Sequence, residues 1–211
     1  MWVIAGIAII ITFIFLQKAR EKKRSAFIKS YNFPEIIIEQ VRFRYPHLSD
    51  KQISLAIEGL REYFILQGAG GFIFMPSQVV DVTWQEFILS IQQYEEFCQN
   101  AFGHLRHHKP AEAMNTPKVQ DGIQRAWTLA CEHEGMNAKS PGRLPRLFAI
   151  DTLLTIPDGF HYVLDCAVLD EKDHPQSDRD TATHNKRPTY CAAHIAAAVV
   201  AAEAKAAAEI C

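Results

Sequence analysis

Cysteine spacing of the kind that builds metal fingers or disulfide frameworks is missing from this chain. The five cysteines, Cys98, Cys131, Cys166, Cys191 and Cys211, are odd in number and never form a Cys-x-x-Cys pair. That excludes a zinc-finger pattern and a disulfide scaffold, and reads instead as reduced thiols in a cytosolic compartment. Gly-x-Ser-x-Gly, P-loop and dinucleotide fingerprints are also absent, so the chain carries no complete catalytic signature. The GAGG stretch at 68–71 lacks the lysine and flanking strand that a phosphate cradle needs. Charge excess is missing too. A formal net charge of −2 supplies no global field for nucleic acid, and no nucleic-acid partner is expected. With 48% hydrophobic and 22% charged residues, wholesale disorder is excluded.

What is present begins at the N-terminus. Trp2 to Leu16 reads WVIAGIAIIITFIFL, uncharged and with Thr12 as its one polar side chain. The run falls slightly short of the roughly 20 residues that cross a bilayer. Gln17 and the stems of Lys18 and Arg20 extend it by snorkelling, and Trp2 suits the opposite interface. A cleaved signal peptide carries positive charge before its apolar core; here the charge follows it, as QKAREKKR. A buried core helix shows a polar face, and this run shows none. Residues 1–17 are therefore expected to form a transmembrane anchor, and 18–30 a basic juxtamembrane segment. Lys18, Arg20, Lys22, Lys23 and Arg24, opposed only by Glu21, place the downstream chain in the cytosol and the N-terminus outside. They also give it a membrane-surface contact with anionic lipid.

The expected domain spans 31–166, all-α, with about five helices. Pro34 opens a helix through Arg44, which Tyr45-Pro46 ends. Ser49 and Gln52 form a capping box, with Leu48 stapled to Ile53, for a helix whose apolar face is Ile53, Ile57, Leu60 and Phe64. A third helix is expected from Ser77 to about Ala101, with Trp84, Phe87, Ile88, Ile91, Tyr94 and Cys98 as its buried stripe and Gly103 as its stop. Thr116-Pro117 opens a fourth, which runs to Gly135, and Leu147–Leu154 reads as a short fifth. Phe160 to Leu164 fits a short strand or a helical turn equally well. Residues 167–211 read as a polar disordered linker followed by an Ala-rich tail with too little bulk to pack well.

Candidate chemistry concentrates around 81–108. Asp81 and Gln85 lie one turn apart on one helix face, beside Trp84 and upstream of Tyr94. His104, His107 and His108 share one loop, with Cys98 a turn or two before it. Together these four offer nitrogen and sulfur ligands for zinc or iron. The competing structural reading has Asp81 capping near a helix start, where the macrodipole favours a carboxylate, and Cys98 as a small core residue. His47 and His133 have structural explanations.

The segment MPSQVVDVTWQEFILSIQQYEEFCQNAFGHLRHHKPAEAM resembles the bacterial glycine-rich domain-containing protein-like family, related to a plant domain of unknown function. The resemblance rests on Val80-Asp81-x-x-Trp84-x-x-Phe87, on Tyr94-x-x-Phe97-Cys98 and on His107-His108-x-Pro110. It is extended by Tyr45-Pro46-His47-Leu48-Ser49 upstream and Leu147-Phe148-x-Ile150-Asp151 downstream, over about 40–165. The family's motif histidine is Gln85 here. Its tails are rich in Gly, Cys, Ser and His, whereas this one is rich in Ala, as a change of reading frame after about 185 would produce. The resemblance implies little about activity. Three readings follow. The first is a bacterial inner-membrane, single-pass, cytosol-facing interaction or scaffold module, partnered by the lipid bilayer and an unidentified protein. The second is a metal-binding domain or metal-dependent enzyme centred on Asp81 and the His104–His108 loop. The third is a degenerate copy that has lost its motif histidine.

Overall fold

In a computed structural model, described for residues 2–69, 72–108, 117–168 and 189–208, the chain is mainly helical. The side chains of 2–5, 7–9, 117–118, 203 and 205–208 lie outside that description. Eight α-helices are formed among the described residues: α1 Trp2–Ser30, α2 Glu35–Arg44, α3 Asp50–Gly68, α4 Gln78–Leu89, α5 Ile91–Ala101, α6 Pro117–His133, α7 Arg146–Leu153 and α8 Ala192–Ala208. Within 31–166, where about five helices are expected, six are formed among the described residues because the third divides in two, and α8 adds a helix in the tail.

The central helix is α3, against which α1, α2, α4, α6 and α7 pack. Its start is set locally. Gln52 Oε1 accepts the Ser49 backbone N–H at 2.9 Å, closing the capping box, and Leu48 and Ile53 are both buried beside it. Ile53, Ile57, Leu60 and Phe64 then face the core. Gly59 sits where three helices converge: a Cβ there would come within 2.8 Å of Val80 and 3.2 Å of Ile150, so only a glycine permits this approach of α4 and α7. Phe64 and Phe97 meet at 4.9 Å between ring centroids, and Phe87 and Phe97 at 5.3 Å. These are the tilted and edge-on geometries that aromatic quadrupoles favour.

The helix α1 runs unbroken across residues 17 and 18, where the anchor and the juxtamembrane segment are expected to meet. Its C-terminal end is seated in the domain. Ile28 is buried, and Arg61 of α3 donates from Nη1 to the Ile28 carbonyl at 2.6 Å and the Tyr31 carbonyl at 2.8 Å. A guanidinium there satisfies terminal carbonyls and complements the helix dipole. The first part of the expected anchor falls largely on side chains outside the description; among the described residues no helix is long and apolar enough to cross a membrane.

The helix expected from Ser77 to Ala101 is two. At Ser90 the backbone leaves helical geometry (φ −82°, ψ 62°), which turns Leu89 and Ile91 outward to 73% and 66% exposure. Ile91, expected in the buried stripe, is thus on the surface. Gly103, at φ 79°, ends α5 as expected and donates its N–H to the carbonyls of Cys98 and Gln99.

The mainly helical chain also forms two short strands: β1 His161–Val163, in the segment that fits a strand or a turn, and β2 Thr189–Cys191, which an all-α reading does not include. They pair in parallel with Tyr162 opposite Tyr190 and Val163 opposite Cys191. The residues expected as a linker lie, over 169–188, outside the described residues. The Ala-rich tail does pack: α8 lies on α6 and buries Ala192, Ala196 and Val199, its small side chains allowing close approach. The expectation of reduced cysteines throughout is corrected as well. A 3-10 turn at Cys166–Val168 brings Cys166 to a Cα–Cα distance of 5.2 Å from Cys191, and the two form a disulfide.

Candidate functional site

The residues that build the site belong to the start of α4 and to the chain leaving α5. Ser77 caps α4, its Oγ accepting the Val80 N–H at 3.3 Å. Behind it Asp151, 1% exposed, accepts from Ser77 Oγ at 2.7 Å, Gln78 N at 2.6 Å, Val79 N at 3.1 Å and Phe160 N at 2.8 Å. Burial raises its pKa while these four donors pull it down. The carboxylate fixes the first turn of α4 from across the molecule, at the end where the helix dipole favours negative charge.

Asp81 projects from that first turn and is itself buried. Its Oδ1 lies 2.7 Å from His108 Nε2, and its Oδ2 accepts from Gln85 Nε2 at 2.7 Å. The His108 ring meets Trp84 edge-on at 4.8 Å. Trp84 donates its indole N–H to the Tyr94 hydroxyl at 3.0 Å, and that hydroxyl donates to the Arg106 carbonyl at 2.7 Å. Asp81, Trp84, Gln85, Tyr94 and His108 therefore form one connected network, which pins residues 106–108 onto α4 and α5. Burial pushes the Tyr94 hydroxyl up in pKa and keeps it a neutral donor. Chemically, the Asp81–His108 pair sets an imidazole against a buried carboxylate, with the imidazole the more exposed of the two.

The proposed metal ligands are not gathered. Cys98 is fully buried on the core face of α5, where burial raises its thiol pKa and favours the protonated form. His104 and His107 are exposed, and His108 alone of the three reaches Asp81. A different set comes together instead: Cys166, Cys191 and His194 hold their ligand atoms within 4.8 Å of one another. Lys18, Arg20, Lys22, Lys23 and Arg24 are all exposed along α1. His47 Nε2 sits 3.3 Å from the Leu154 carbonyl, a structural contact.

Sequence reasoning missed two features. Asp151 was legible as part of a resemblance but not as the cap of a helix over 70 residues away. Cys191-x-x-His194 was visible as a spacing, yet nothing in the sequence tied it to Cys166.

A family model described as UCP032817-like matches residues 23–195, a span that takes in the Asp81 network, Asp151 and the Cys166, Cys191 and His194 cluster. No curated protein and no solved structure matches the chain.

Proposed function

We propose that this chain, which belongs to the UCP032817-like family, works as a membrane-tethered helical module that holds a partner protein at the cytosolic face of a bilayer. The observation that carries the reading is the two-part character of α1. Ile10, Ile11, Phe13, Ile14, Phe15 and Leu16 are 48–72% exposed and take no cover from the domain. The same helix ends with Ile28 in the core and its last carbonyls held by Arg61. An uncovered apolar stem of this kind costs free energy in water and is stabilised in lipid. The exposed basic residues between stem and domain suit anionic headgroups and set the domain on the cytosolic side. Phe43, Leu89 and Ile91, at 66–85% exposure, are the apolar side chains available to a protein partner.

Orientation provides the test. A reporter that works only in the cytosol, fused at the C-terminus, is expected to be active, whereas activity of an export-dependent reporter there would overturn the reading.

We also infer kinship with the glycine-rich domain-containing protein-like group, supported by the meeting of its motif residues Asp81, Trp84, Tyr94 and His108 in one network. The second reading, an acid–base or metal site, draws on the 2.7 Å Asp81–His108 pair. Elemental analysis of the purified chain and of Gln85→His separates the cases. Metal lost on His108→Ala favours a working site. Metal only in Gln85→His favours a degenerate one, and none in either removes the metal form of this reading.

A further inference from the structure

A second cluster of ligand-type side chains shares no residue with the Asp81 network, and its assembly follows from the last strand among the described residues. Cys191 ends β2, and His194 stands three residues on in the first turn of α8. Pairing of β1 with β2 sets Val163 opposite Cys191. The 3-10 turn that follows β1 then carries Cys166 back against it. Both sulfurs and a ring nitrogen of His194 lie within 4.8 Å of one another. Cys191 is buried, Cys166 half-buried and His194 exposed, so the cluster is open to solvent on the histidine side.

We propose that Cys166, Cys191 and His194 form a zinc site, in exchange with the Cys166–Cys191 disulfide, that fastens α8 to the domain. Two thiolates and an imidazole suit zinc and exclude magnesium and calcium, which take oxygen ligands. Zinc bonds of about 2.0–2.3 Å place tetrahedral ligands roughly 3.5 Å apart. Three donors already within 4.8 Å reach that spacing by side-chain rotation once the sulfurs part. Three protein ligands leave a fourth position for water or for a group from outside. The two states are exclusive, because a sulfur in a disulfide has no thiolate to offer. A dithiol reductant interconverts them: it gives two electrons and two protons to the sulfur–sulfur bond, which breaks to two thiols, while the dithiol closes to its own disulfide. Zinc then displaces the two thiol protons to solvent. A cytosolic placement favours the thiol form. Cys98 and Cys131 do not compete, since both are fully buried in the core.

The test uses the full chain, reduced with a dithiol and freed of it without air, then titrated with Co2+ as a visible stand-in for zinc. The expected result is one Co2+ per chain, with thiolate-to-cobalt absorption in the near ultraviolet that Zn2+ bleaches. The oxidised protein is expected to give no such signal. Cys166→Ser with Cys191→Ser should abolish it. His194→Ala, on an exposed side chain, should weaken binding about tenfold or more while leaving the far-ultraviolet circular dichroism unchanged. Absence of a stoichiometric thiolate signal from the reduced chain, or its survival in the double serine variant, would overturn the proposal. So would unchanged affinity in a folded His194→Ala.

Discussion

Asp81 and Asp151 are both buried carboxylates at the start of α4, and they do different work. Asp151 accepts four donors and serves the fold; Asp81 accepts two side chains and serves the surface loop. Asp151→Ala leaves three backbone N–H groups and the Ser77 hydroxyl without their acceptor. It is expected to cost about 3 kcal/mol or more in urea unfolding. His108→Ala removes one hydrogen bond to a buried carboxylate and should cost about 2 kcal/mol, with faster amide exchange confined to residues 104–108. An exchange change spread evenly over the domain would contradict the network drawn here. At this scale the sequence was half legible. The one-turn spacing placed Asp81 with Gln85, because helical geometry is local. Which of three histidines returned to Asp81 depended on a loop path that no spacing encodes.

Helix starts and stops were read where their signals are local: Pro34, the Ser49–Gln52 box, Gly103 and Pro117. The break at Ser90 was not, since Ile88 and Ile91 continue the apolar stripe in sequence while the structure exposes Ile91. Three-residue parallel strands, a disulfide across them and an alanine helix that packs through Ala192, Ala196 and Val199 all depend on partners distant in sequence. Gly103 offers the sharpest test of an element boundary. A Cβ there would meet the Arg24 guanidinium at 2.5 Å, on a backbone held at φ 79°. Gly103→Ala should therefore cost about 1 kcal/mol from backbone strain, read from the denaturation midpoint, whereas Gly142→Ala, with open space around it, should be nearly neutral.

For the molecule as a whole, the buried thiols and phenols make alkaline pH the vulnerable side. Burial pushes the Cys131 thiol up to about 11, against an ordinary value of about 8.5 in the unfolded chain. Between these values the unfolded chain has released the proton that the folded chain keeps. The contribution of this thiol is full below about pH 8.5 and is lost as pH rises towards about 11, with buried Tyr63 and Tyr162 adding to the loss at the upper end. Thermal unfolding across that range should show the melting temperature falling, and a flat profile would contradict the burial of Cys131.

The central claim concerns α1, and it is tested most directly by washing membranes from cells expressing the full chain with alkaline carbonate. The account predicts that the chain stays with the lipid pellet, and that Ile11→Lys with Ile14→Lys releases it to the supernatant. Recovery of the unaltered chain in the soluble fraction would contradict it.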